Sequence, residues 1–150
     1  MNTLHPFLSS FPVALILICL LLELLRLISK KVSVESAVSF NLILAFVFSV
    51  AAFISGYSAK ELASITFVVP EDPILWHHYW GRALLFALVP CIVFHLFWKR
   101  NRTVVTRSLY LITLLICSAI VIYVGWLGGE LVFKRGAGVA ATELVTSATK

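Results

Sequence analysis

The sequence predicts an all-α membrane protein, a four-helix transmembrane bundle, on three observations. Hydrophobic residues make up 61% of the 150 and mean hydropathy is +1.01, above the roughly 45–50% apolar content of water-soluble chains. Four apolar runs, residues 11–28, 37–55, 83–98 and 108–127, each reach or nearly reach the ~20 residues that cross a ~30 Å hydrocarbon core. Basic side chains gather in the turns after the first and third runs and leave the apolar spans almost clear.

Helix one is expected from about Pro6, because proline suits a first turn whose N–H would be unpaired anyway. Pro12 should kink it, a distortion that neighbouring helices tolerate in a membrane. Helix two should cover residues 35–54 and end at Ser55-Gly56-Tyr57. A loop over residues 58–76, with Pro70-Glu71-Asp72-Pro73 inside it, would be long enough to serve as a lid. Helix three then starts between Trp76 and Trp80, is kinked at Pro90 and runs to Trp98. Helix four spans residues 106–127, where Gly128-Gly129 ends or bends it; residues 130–134 then return along the membrane surface. The expected division is a four-helix domain over residues 1–139 and a polar tail over 140–150.

The net charge is +5, and its placement is informative. Arg26, Lys30, Lys31, Lys99, Arg100, Arg102 and Arg107 flank two turns, whereas Lys60, Arg82, Lys134, Arg135 and Lys150 are set against Glu61, Glu71, Asp72, Glu130 and Glu143 at the other end. Positive residues in short loops stay cytoplasmic, so both termini are expected outside, in the periplasm of a bacterium whose inner membrane the chain spans. The basic turns are topology signals, with no nucleic-acid partner implied. Lys30 and Lys31 follow the first apolar run, the reverse of a cleavable signal peptide, so the run is expected to be kept as an anchor. Trp76, Tyr79, Trp80 and Trp126 form an aromatic belt at the outer interface and Trp98 marks the inner one. Cys19, Cys91 and Cys117 lie inside apolar spans without Cys-x-x-Cys spacing, which reads as buried free thiols.

This topology puts His5, His77 and His78 at one level, together with Gly56, Gly81, Gly125, Gly128, Gly129, Gly136 and Gly138. Two imidazoles from facing helices, with glycine backbones standing clear of a flat macrocycle, are what a bis-imidazole haem requires. His77, Gly81, Leu84, Leu88, Cys91 and His95 fall at i, i+4, i+7, i+11, i+14 and i+18, one stripe of helix three. His77 is therefore the better axial ligand opposite His5, and His78 the alternate. Interface histidines that only hydrogen-bond, and glycines that only permit close packing, are the competing reading. His95 lies more than ~20 Å from the outer level at ~1.5 Å per residue, so one haem is the ceiling. Glu23 and Arg26 read as an i, i+3 ion pair; a Glu23–His95 proton site beside an inner quinone pocket is the alternative. Glu130 could orient a ligand histidine or be a surface carboxylate.

Leu4-His5-Pro6 with Phe11-Pro12-Val13-Ala14-Leu15, His77-His78-Tyr79-Trp80-Gly81, and Gly125-Trp126-Leu127-Gly128-Gly129-Glu130-Leu131-Val132-Phe133 with Gly136-Ala137-Gly138-Val139 resemble a bacterial family of four-helix predicted membrane proteins, domain of unknown function 2231. The resemblance covers roughly residues 4–139, and its closing glycine motif is the most specific part. Family members often have a second histidine just before the Phe-Pro, where this chain has Ser10. Some are similar to proteins fused with or found beside c-type cytochromes, which implies periplasmic electron transfer.

The resulting expectation is a membrane electron-transfer protein or subunit carrying one haem b. His5 and His77 (or His78) are the axial ligands, and Gly81, Gly125, Gly128 and Gly129 line the slot. Membrane lipid, a quinone and a periplasmic cytochrome or larger redox complex are the expected partners. A cofactor-free scaffold subunit, and a copper or zinc site of His5, His77 and His78, are the alternatives. No nucleophile elbow, phosphate loop or pair of catalytic carboxylates supports hydrolase chemistry.

Overall fold

With no water to hydrogen-bond a backbone inside a bilayer, apolar runs of this length satisfy their own peptide groups as helices. The computed structural model describes residues 4–28, 34–66 and 69–137. Its helices are α1 (Leu4–Ile28), α2 (Glu35–Thr66), α3 (Glu71–Asn101) and α4 (Val104–Phe133), and all four are long and apolar enough to cross a membrane. No strand occurs among the described residues. The protein is an all-α four-helix transmembrane bundle.

The helices form a ring in which α1 packs on α2, α2 on α3, α3 on α4 and α4 on α1. Each turns the same kind of stripe inward. Pro12, Ile16, Cys19 and Glu23 are the buried residues of α1; Leu84, Leu88, Cys91, His95 and Trp98 continue the stripe expected for α3. In α2 the stripe is Val38, Leu42, Ala45, Ser49 and Ala52, and in α4 it is Tyr110, Leu114, Cys117 and Val121. The i, i+4, i+7 spacing keeps one face toward the axis. Outside, large apolar side chains such as Phe40 (64% exposed) and Phe86 (73%) stand free, as lipid-facing residues do when the solvent is hydrocarbon. The three cysteines are free and buried.

Three expected boundaries are corrected. The stretch 58–76 is not a loop: α2 continues through Gly56 to Thr66, and α3 begins at Glu71. Pro70 is the N-cap of α3 and Glu71 and Asp72 open its first turn. Pro73 is then within that turn, where its missing N–H costs nothing and the acids complement the helix dipole. Gly128-Gly129 does not end α4, which runs to Phe133, so residues 130–133 are helix and do not return along the surface. The chain leaves the helix at Gly136, whose φ of +69° an L side chain adopts at a cost. Its N–H bonds to the Val132 carbonyl at 3.1 Å. Lys30, Lys31, Gly138, Val139 and the expected tail over residues 140–150 lie outside the described residues.

At the basic end, Glu35 ties three parts together. Its carboxylate takes Arg102 of the α3–α4 turn through both oxygens, at 2.5 and 2.6 Å, and Arg26 of α1 at 3.1 Å. Both guanidinium groups also lie over the Trp98 ring, 4.3 Å away for Arg26 and 5.0 Å for Arg102. The α3–α4 turn is set by Arg102 in the left-handed region and by Thr103, whose side chain accepts from the Thr106 N–H.

Candidate functional site

At the opposite end the bundle opens into a cavity of about 510 Å³ that His5, His77 and His78 line together with Gly56, Gly81, Gly125, Gly128 and Gly129. That size is within the ~300–1,000 Å³ range of small-molecule and cofactor pockets. The arrangement follows from helix polarity, because the start of α1, the end of α2, the start of α3 and the end of α4 all meet there. His5 is inside the first turn of α1, not ahead of the helix.

The imidazoles of His5 and His77 face each other across the ring diagonal, 6.0 Å apart between centres with planes at 86°. His5 Nδ1 lies 2.9 Å from the Ala52 carbonyl oxygen and 3.2 Å from Ser55 Oγ. Ser55 spends its own hydroxyl proton on that same carbonyl. An oxygen that can only accept requires the hydrogen on His5 Nδ1, which leaves Nε2 with its lone pair. His78 points to α2 instead, with Nε2 3.1 Å from the Gly56 carbonyl oxygen and its ring against Phe53 and Tyr57. Thus His77, and not His78, stands opposite His5.

His77 turns a ring edge to the Val124 backbone, while its Nδ1 is buried with no hydrogen-bond partner. The Oγ of Ser49, another residue lining the cavity, is also buried and unpartnered. Buried polar groups are nearly always hydrogen-bonded, so exceptions mark sites that expect another group. Ser49 was not among the expected site residues; its signal was a hydroxyl in the middle of an apolar run, on the stripe that leads to Ala52 and Gly56. Ala52 and Val124 act through their backbones, which leave no trace in residue type.

The glycines divide. A Cβ at Gly128 would stand 3.3 Å from His77 Cε1, and one at Gly56 3.2 Å from Cε1 of both His5 and His78. Gly81 and Gly129 have nothing within 4 Å of that position, and Gly125 only Val13 at 3.8 Å, so these three border open space. Glu130 pairs with Lys134 at 3.3 Å. Among the described residues no three His, Cys, Asp or Glu side chains converge as a metal-ligand group.

At the basic end Glu23 and Arg26 form the expected i, i+3 pair, at 3.9 Å. His95 bonds to Ser39 and lies against Tyr110 and Trp98, far from the other histidines.

A family model described as "Predicted membrane protein (DUF2231)" matches residues 1–141. No curated protein and no solved structure matches the chain.

Proposed function

Since the chain belongs to this family of predicted membrane proteins, whose description names no activity, we propose from its own residues that it is a b-type haem-binding electron-transfer protein or subunit with one haem between His5 and His77. The observation that carries the reading is the diagonal pair of imidazoles 6.0 Å apart. His5 and His77 are the residues that would hold the haem iron.

Chemical fit supports the same pair. His5 offers a lone pair at Nε2 while the Ala52 carbonyl fixes its tautomer, the outer hydrogen bond that ligand histidines commonly make. His77 offers a buried nitrogen without a protein partner. Pro12, Val13, Leu84 and Val121 wall the cavity with apolar surface, and Gly81, Gly125 and Gly129 leave the room that a flat ring needs. When bound, haem supplies a one-electron iron couple. The protein's part is to orient two imidazoles, exclude water and set the potential through burial and hydrogen bonding. Lys60 at the rim, 3.3 Å from Glu71, offers a cation to an anionic substituent.

By the positive-inside rule the basic end would lie in the cytoplasm and this cavity at the periplasmic face of a bacterial inner membrane. Electrons would then pass between a membrane quinol and a periplasmic redox partner. His5→Ala and His77→Ala should each abolish the haem absorption of the purified protein, and His78→Ala should retain it. Equal haem content in all three would overturn the ligand assignment.

A cofactor-free scaffold is the second reading, favoured by the bonds of His5 and His78 to α2 carbonyls, which already tie α1 and α3 to α2. Under it, His5→Ala and His77→Ala leave assembly with a larger complex intact.

A further inference from the structure

A second buried polar cluster occupies the basic end, about five helical turns from the haem pocket. Glu23 is 3% exposed and His95 1%, both within membrane-spanning helices, where ionisable groups are expensive and mark functional sites by default. Tyr110, fully buried, donates its hydroxyl to Glu23 Oε1 at 3.2 Å. Its ring lies 4.7 Å from the His95 ring, centre to centre.

A proton count fixes the tautomer of His95. Its Nε2 lies 2.9 Å from Ser39 Oγ. Ser39 has one hydroxyl proton, and it goes to the Glu35 carbonyl oxygen at 2.8 Å. The same Oγ also accepts from Lys99 Nζ at 3.1 Å. With that proton on the carbonyl, Nε2 donates to Ser39 Oγ and carries the imidazole hydrogen, and Nδ1 holds a lone pair. That Nδ1 is buried with no partner. A neutral imidazole with one nitrogen anchored and the other free is built to accept a proton.

We propose that His95, with Tyr110 and Glu23, forms a proton-binding site at the basic end, with His95 Nδ1 as the acceptor. Uptake forms one N–H bond and breaks none in the protein; a water-borne proton turns neutral imidazole into imidazolium. The surrounding charges set when this occurs. Arg26 and Cys19 face the cluster from α1, Glu35 from α2, Cys91 and Lys99 from α3, Arg102 from the turn and Arg107 from α4. Acidification at this end, or a negative charge arriving beside it, loads the site. Glu35 is the carboxylate whose field offsets the added charge, and Tyr110 joins the His95 ring to Glu23.

The test is a nitrogen NMR titration of ¹⁵N-histidine protein in lipid nanodiscs. The His95 resonance is assigned by its loss in His95→Gln or, should that variant fail to fold, by its shift in Ser39→Ala. The expected result is a neutral Nε2–H tautomer near neutral pH whose Nδ1 signal moves to the imidazolium position on acidification. Glu35→Gln should move that midpoint to lower pH. A His95 protonated on Nδ1 at rest, or a signal that never moves while the protein stays folded, would overturn the proposal. None of these outcomes depends on haem occupancy at the other end.

Discussion

His77 stands over Gly128 with so little clearance that a methyl group there would meet its Cε1 at 3.3 Å. The His77 ring must give by a few tenths of an ångström to admit it, so Gly128→Ala should lower haem affinity by up to about tenfold. Gly81→Ala has open space and should stabilise the haem-free protein by up to about 1 kcal/mol through helix propensity. Haem titration and thermal unfolding of the two variants check the pair of outcomes; equal behaviour would contradict the division of the glycines. At this scale the sequence was informative wherever a side chain carries the chemistry. The stripe from His77 to His95 favours His77 over His78 and leaves His78 as the alternate. The carbonyl of Ala52 and the backbone of Val124 were invisible, because every residue has a backbone and only the fold selects which one a histidine meets.

The elements show where local signals misled. Gly56 reads as a helix end and Pro70-Glu71-Asp72-Pro73 as a loop, yet α2 and α3 run on toward each other until only residues 67–70 separate them. A glycine within a membrane helix is tolerated when close packing needs it, and Gly56 lies between two imidazoles. A proline in the first turn of α3 removes no hydrogen bond. The two expected breaks were thus a packing position and a helix start. Ser58 is exposed, so Ser58→Pro tests the backbone alone. Within a continuous α2 it should cost about 3 kcal/mol, measured by unfolding in detergent; a change within about 0.5 kcal/mol would restore the loop. Gly128-Gly129 misled in the same manner, since it supplies clearance for His77 while the departure from the helix falls at Gly136.

The whole molecule has two unlike ends, and the charge pattern that distinguishes them was fully legible in the sequence. Glu35 binds Arg26 and Arg102 at the basic end, so Glu35→Gln should lower the thermal midpoint, by less at high salt, where such partly exposed pairs are screened. Orientation can be read directly because the native cysteines are buried. If the basic end lies in the cytoplasm, as the positive-inside rule proposes, an impermeant thiol reagent should label Ser58→Cys in intact cells and Thr103→Cys only after lysis. The reverse pattern would turn the bundle over and put the cavity inside. The central claim is that the cavity between His5 and His77 holds haem, and a reduced-minus-oxidised absorption spectrum of the purified protein tests it most directly. With haem supplied during expression, the account predicts Soret and α bands corresponding to one haem per chain; a spectrum without them would contradict it.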